Sequence, residues 1–312
     1  MRNREFRKVL SALRDLTRGQ RASLLRMIRH LEPEAADLLD RPKVCPHCRH
    51  QRITGWGTTG RGLKRWRCNG CERTFTAVTG TAAEGLRYRE VWPEFAAALM
   101  DGETLDGIAE RCGIHRTTAH RWRSRFLDGL VEMQPELGGI VEADETYLLH
   151  SAKGQPKVRA ALGREARKRG GKATRRGLSR EQVPVFVATD RGGKISCRVS
   201  DTFNALRASE ALSVVNKDAV LCSDGHRAYV TAARRLGLQH ERIVHTDGGR
   251  VRGAFHIENV NGAHSQFKTW IRRFNGVSTS RLPLYAAWFA RIERFERESR
   301  STNRVLSMML AA

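Results

Sequence analysis

Two aspartates stand in apolar surroundings. Asp144 lies in Ile140-Val-Glu-Ala-Asp-Glu-Thr, and Asp224 closes the run Ala219-Val-Leu-Cys-Ser-Asp. Each reads as a carboxylate at the end of a buried strand, a costly placement unless something binds it. Paired on neighbouring strands, the two would hold two divalent metals roughly 4 Å apart, the arrangement used for phosphodiester chemistry. One metal would activate an attacking hydroxyl and the other would stabilise the leaving oxygen. Mg²⁺ or Mn²⁺ suits such a site, since hard cations favour carboxylate and water oxygens. A lone strand-end aspartate more commonly serves a turn, so the pair carries the reading. A third element is the helix His256-Ile-Glu-Asn-Val-Asn-Gly-Ala-His-Ser-Gln-Phe-Lys268. Asn261, His264 and Lys268 share one helical face beside the apolar stripe Val260, Ala263, Phe267 and Ile271. An amide oxygen can ligate a metal without a carboxylate's charge, and Lys268 can hold a DNA phosphate. Taken alone, this face would be an ordinary solvated helix side.

A different metal chemistry is written in the cysteines. Cys45-Pro-His-Cys48 and Cys68-Asn-Gly-Cys71 are two CxxC pairs separated by 19 residues. Each CxxC turn aims two thiolates at one point, and two turns complete a tetrahedral zinc site of ribbon spacing. Four thiolates leave no open position, so Zn²⁺ here is structural. His47 and His50 are possible competing ligands. Cys112, Cys197 and Cys222 read as small core residues, and the odd total of 7 cysteines argues against a disulfide framework. Between the pairs, Arg61, Lys64, Arg65 and Arg67 interleave with Trp56 and Trp66, a composition suited to nucleic acid. Trp66 serves equally well as the ribbon's small core.

The stretch Glu103–Trp122 has the pattern of a helix-turn-helix. Leu105, Ile108 and Ala109 would be the buried stripe of the first helix, with Gly113 at the turn. Ala119, Trp122 and Phe126 would bury the second helix, leaving Arg116, Thr117, His120, Arg121 and Arg123 facing outward as groove and phosphate contacts.

Several elements must position these groups. Apolar spacing predicts helices within residues 1–40, then a cysteine-bearing β ribbon over 41–80 and a helical region over 88–130. A strand over 137–150 opens an α/β catalytic domain reaching residue 300. Within it, residues 151–180 hold eleven Lys or Arg and one acid without sustained periodicity, which predicts a basic loop that tracks DNA backbone. From Val183 the pattern is β-β-α-β-α: strands over Val183–Thr189, Lys194–Ser200, Ala219–Ser223 and Arg242–His245, and helices over Asn204–Asn216 and Tyr229–Leu236. Two long helices follow, Ile257–Phe274 and Leu284–Arg300.

Bulk composition agrees with a polyanionic partner. The 56 Lys+Arg against 33 Asp+Glu give +23 over 312 residues, and phosphate contacts release condensed counterions. No apolar run approaches the roughly 18 residues of a membrane span, and no signal peptide is evident, which predicts a cytoplasmic, nucleoid-associated protein.

With these residues in view, the chain resembles a family. The zinc ribbon, the Val141-Glu-Ala-Asp-Glu-Thr-Tyr strand, the Cys222-Ser-Asp-Gly-His-Arg-Ala-Tyr segment and the helix from His256 resemble the ISXO-like, DDE-type insertion-sequence transposases. The resemblance spans roughly residues 40–300. It implies an RNase H-like fold, with Asp144 and Asp224 as the first two metal-holding acids, Asn261 at the third position and Lys268 seven residues on. Most DDE enzymes carry glutamate at that third position, and Glu258 or Glu145 are minor candidates to supply the missing charge. The implied partners are terminal inverted repeats, target DNA and a second copy of the chain on DNA. Water-driven cleavage and strand transfer need no covalent intermediate, so Tyr147 and Tyr229 are not needed as nucleophiles. The alternatives are a catalytically decayed zinc-ribbon DNA-binding protein, which Asn261 favours, and an RNase H-like nuclease on RNA or junctions, which the helix-turn-helix disfavours.

Overall fold

The computed structural model of the protein describes residues 42–60, 62–132, 134–161, 181–244 and 251–297, with Ala12, Leu16, Thr17, Gly171, Ala173, Thr174 and Ser179. The helices expected in residues 1–40 lie outside the described residues apart from Ala12, Leu16 and Thr17. The chain divides into two units, Met1–Ala119 with Ser301–Ala312, and His120–Arg300.

In the first unit, β1 (Ile53–Thr58), β2 (Lys64–Cys68) and β3 (Thr74–Thr76) form an antiparallel sheet. Register pairs Ile53 with Cys68 and Trp66 with Phe75. These four residues and Cys45 are the whole ribbon core, so Trp66 is structural, whereas Trp56 is 44% exposed. Helix α1 (Trp92–Met100) starts with Pro93 in its first turn, where no backbone donor is lost, and buries Trp92, Phe95, Ala96, Ala98 and Leu99. Helix α2 (Leu105–Cys112) is capped by Thr104 Oγ1, which accepts from Gly107 N at 3.3 Å. Gly113, at φ 60°, ends it. Ile108 and Cys112 are its buried residues; Leu105 and Ala109, expected in the same stripe, are half-buried. Arg111 reaches back to Glu94 and, at 2.7 Å each, to Asp101 and Glu103, tying α2 to α1. Helix α3 spans Arg116–Glu132, its first residues counted with this unit and those from His120 onward with the second.

The second unit holds a five-stranded sheet in the order β6-β5-β4-β7-β8. Its strands are β4 (Ile140–Leu149), β5 (Gln182–Asp190), β6 (Ile195–Val199), β7 (Val220–Ser223) and β8 (Gln239–Arg242). The first three pair antiparallel, and β7 and β8 then add parallel on the other side of β4. This is the RNase H-like strand order. Successive side chains on β4 point to opposite faces. Val141 and Ala143 meet the apolar faces of α5 (Ala205–Leu212) and α6 (Arg227–Leu236) in one cluster with Phe186, Leu221 and Tyr229. The other face of the sheet meets α7 (Glu258–Arg272) and α8 (Leu282–Arg297). There Phe267 lies 5.2 Å from Phe289, and Trp270 lies 5.2 Å from Trp288.

Two expected elements differ. The last strand of the five-stranded sheet is Gln239–Arg242, earlier than Arg242–His245, because Gly237 at φ 68° stops α6 at Leu236 and lets the strand resume at once; Val251–Arg252 and Phe255–His256 then pair as a separate two-stranded ribbon. The basic stretch expected to be a loop contains a short helix, Pro156–Ala161 (α4), opened by Pro156; most of residues 162–180 lie outside the described residues.

Candidate active site

Asp144 sits in the middle of β4, not at a strand end as expected. The parallel register pairs Val141 with Leu221 and Glu142 with Cys222. Continued two residues, it brings Asp144 level with Asp224, just past the end of β7. The costly position is therefore where β4 outruns its parallel neighbour. Asp224 is held by a tight turn: its Oδ1 accepts from His226 N at 2.8 Å, and Gly225 takes φ 82°. Ser223, one residue earlier, is 2.9 Å from His240 Nε2.

Burial, then the neighbouring charges of Glu145 and Asp224, push the Asp144 carboxyl up to about 7, against an opposing pull from Lys268. His264 Nδ1 stands 3.8 Å from Asp144 Oδ2, but burial and Lys268 lower that imidazole to about 4, so it faces the carboxylate uncharged. Neither neighbour compensates the Asp144–Asp224 pair as a divalent cation would, and the donor set suits one. Asn261, one turn before His264, is exposed, and Lys268 is half-buried. Asp144, His264 and Lys268 are thus brought together, with Asn261 on the same helix.

Glu145 points to the opposite face of β4. It accepts from Tyr147 Oη at 3.2 Å, and burial raises its carboxyl. Burial and the charges of Glu145 and Asp144 hold the Tyr229 phenol well above its usual range, so it stays protonated. Glu258, the first residue of α7, is exposed.

In the ribbon, the four ligand atoms of Cys45, Cys48, Cys68 and Cys71 all lie within 4.8 Å of one another. Cys45 Sγ is 3.7 Å from Cys71 Sγ, and Cys48 Sγ is 3.5 Å from Cys68 Sγ. A tetrahedral site with Zn–S bonds near 2.3 Å requires sulfur–sulfur edges of about 3.8 Å, so the set fits zinc closely. Backbone N–H groups of Cys71 and Gly70 point at Cys68 Sγ and lower that thiol to about 6, favouring the thiolate. His47 instead meets Phe75 edge-on, outside the thiol cluster.

On α3, Arg116, Thr117, His120 and Arg121 are exposed, and Arg116 pairs with Asp106 at 2.6 Å. Arg123 does not face outward as expected. It is buried, donates to Tyr285 Oη at 2.7 Å, and its guanidinium lies 5.3–5.6 Å from the rings of Phe274, Tyr285 and Trp288. Its position beside Trp122 puts it on the packed side of the helix, where an aromatic box satisfies a cation. In the ribbon Lys64 is exposed, Arg65 donates to Trp56 O at 3.2 Å, and Arg67 lies 4.9 Å from the Trp56 ring while pairing with Glu72.

Spacing alone does not single out Glu142, the most heavily bonded carboxylate among the described residues of the second unit. It is 0% exposed. The only signal in the sequence was its period-two relation to Asp144.

A mixed sheet of RNase H-like order carrying paired aspartates, in a chain with a helix-turn-helix, defines a DDE-type DNA transposase. Residues 136–290 match the ISXO2-like transposase domain, and residues 94–131 match the homeodomain-like domain. Over these residues the chain is similar to the ISXO2-like insertion-sequence transposases. It is 28% identical over 279 residues to a Halobacterium salinarum protein described as an uncharacterized protein in transposable element ISH50, covering 83% of this chain and 89% of that one. A solved structure of a pre-cleavage Mos1 transpososome aligns at 12% identity and TM-score 0.23, over 70% of this chain and 78% of that one.

Proposed function

We propose that this transposase binds the terminal inverted repeats of its own element and there cleaves DNA and joins it to a target, with Asp144, Asp224, Asn261 and Lys268 as its catalytic residues. The observation that carries the reading is the placement of Asp144: a carboxylate inside the sheet, level with a second carboxylate at the end of a parallel strand. Asp144 and Asp224 would hold Mg²⁺ or Mn²⁺, with the Asn261 amide oxygen as a neutral ligand. The cation supplies charge neutralisation at the two carboxylates and a more acidic hydroxyl for attack on phosphorus. Lys268 holds a DNA phosphate against that face. His264, kept neutral by burial, stands beside the Asp144 carboxylate and adds no positive charge there.

The remaining assignments follow the chemistry of each segment. Residues 41–80 form a Zn²⁺ ribbon, closed by Cys45, Cys48, Cys68 and Cys71, whose Lys64, Arg65 and Arg67 contact phosphates. Residues 88–130 read the element ends through Arg116, Thr117, His120 and Arg121, and residues 137–300 carry the reaction. Joining two ends to one target calls for two copies of the chain on the DNA.

The test is strand transfer. Oligonucleotides carrying the inverted repeats that flank the gene are mixed with a target plasmid and Mg²⁺ or Mn²⁺, comparing wild type, Asp224→Asn and Asn261→Asp. Joined products from wild type, lost in Asp224→Asn, are expected. Specific end binding without joining in either metal would defeat the catalytic reading in favour of a binding-only protein. The amide at position 261 favours that second reading, and rescue by Asn261→Asp would locate the defect there.

A further inference from the structure

Helix α7 has no side-chain cap of its own: Ile257 occupies the N-cap position, and its side chain cannot accept a hydrogen bond. The acceptor comes instead from β4, 117 residues away in sequence. Glu142 Oε2 accepts from the backbone N–H of Asn259 at 2.7 Å and of Val260 at 3.1 Å. Its Oε1 accepts from Asn259 Nδ2 at 2.9 Å and pairs with Arg191 Nη2 at 3.0 Å. His256 Nδ1 lies 3.3 Å from the same oxygen, while its Nε2 is 2.6 Å from Arg191 Nη1. That Nδ1 accepts from Glu258 N at 3.2 Å, so the imidazole is not one of the donors to Glu142. Two backbone N–H groups, an amide and a guanidinium donate to the carboxylate, and its charge at a helix N-terminus also suits the helix dipole.

The far end of α7 is tied to the same strand's continuation. Lys153 Nζ donates to Asn275 O and Gly276 O, at 2.9 Å each, just beyond the helix C-terminus. An anion at the positive end and a cation at the negative end thus dock α7 along one stretch of chain. Glu142 and Asp144 share a face of β4, and Asn261 follows the two capped residues directly.

We propose that Glu142 is a positioning residue for the catalytic centre: by capping α7 from the strand that bears Asp144, it sets where Asn261 and Lys268 stand relative to that aspartate. The inference rests on the proposed metal-holding role of Asp144 and Asp224. Glu142 is not itself a ligand; its carboxylate is consumed by donors.

The test uses full-length Glu142→Gln, whose amide must present an N–H to at least one of these donors. Mn²⁺ binding to the protein–end-DNA complex is followed by calorimetry, and hydrogen exchange is followed at the amides of Asn259 and Val260. Losing an outer-sphere partner typically weakens metal binding about 10–100-fold, and that loss is expected, with faster exchange at these two amides alone and end-DNA affinity within about two-fold of wild type. Unchanged Mn²⁺ affinity in Glu142→Gln, with Asp144→Asn strongly weakened, overturns the positioning role while leaving the metal site intact. Unchanged Mn²⁺ affinity in Asp144→Asn overturns both. If Glu142→Gln does not fold, Asn259→Ala removes one bond to Oε1 and carries the test: a several-fold loss of Mn²⁺ affinity supports the role, and none refutes it.

Discussion

Replacing Asp144 by Asn should stabilise the metal-free protein above neutral pH while abolishing strand transfer. Burial and the charges of Glu145 and Asp224 move the Asp144 carboxyl from 3.8 to about 7. At about 1.36 kcal/mol per pH unit this is an upper limit of about 4 kcal/mol. The side chain is 21% exposed, and screening together with the amide's own burial cost brings the expected gain to about 2 kcal/mol. The sign follows from proton linkage. Because the folded pKa is raised, the folded state holds the proton between 3.8 and about 7 when the unfolded chain has lost it. This contribution to stability is complete below 3.8, is lost as pH rises toward 7, and stays lost above it. Urea unfolding in chelator at pH 4 and pH 8 should show the variant equal to wild type at the lower pH and more stable by about 2 kcal/mol at the higher. Mn²⁺ at about 100 times its Kd should then raise wild type alone, by about 2.7 kcal/mol, closing the gap. A variant no more stable than wild type at pH 8, or a gap that does not change with pH, would sink the argument and make Asp144 a structural anchor.

Cys45→Ser should drop bound zinc from about one per chain to none by metal analysis and unfold the ribbon, since structural zinc supplies about 10–16 kcal/mol in small metal-folded domains. Arg121→Ala should weaken end binding and lower the slope of log affinity against log salt by about 0.9, one phosphate contact, as read by gel shift across salt concentrations. Tyr285→Phe should cost about 1–3 kcal/mol of stability, because it deprives the buried Arg123 guanidinium of its hydroxyl acceptor, and should leave the salt slope for DNA unchanged. The contrast between these last two variants separates the exposed face of α3 from its packed face.

Period two and period 3.6 made much of the architecture legible. The strands β4 to β7 and the helices α6 to α8 fall close to where apolar spacing places them, because their buried faces are long enough to show. Local chemistry was equally legible: CxxC turns converge by themselves, and Asp224 ends a strand in an Asx turn that needs only its next two residues. Long-range pairing was not. Arg123 looks like a groove-reading cation until Tyr285, 162 residues on, packs over it. The exposed strand β1, with glycines at 55 and 57 and only Ile53 buried, offers no alternation to detect.

Glu142 shows what such blindness costs in function. In Val141-Glu-Ala-Asp-Glu-Thr the eye goes to Asp144 and Glu145 as an adjacent pair, yet adjacency on a strand sends them to opposite faces. Asp144 turns to α7 with Glu142, whereas Glu145 turns to Tyr229 and the α6 side. The three acids thus have three separate fates: one held by donors, one set against a protonated phenol, and one left in need of a cation. Donors to the carboxylate, rather than burial alone, set Glu142 apart from the other two. Glu142 is the most buried of the three and has four donors, from Asn259, Val260 and Arg191, so its charge is neutralised within the protein. Asp144 is more open, faces a neutral imidazole and has the like charges of Glu145 and Asp224 beside it. A carboxylate whose charge the fold leaves poorly compensated stands level with Asp224, and the most compensated one caps the helix that brings Asn261 and Lys268 to meet it.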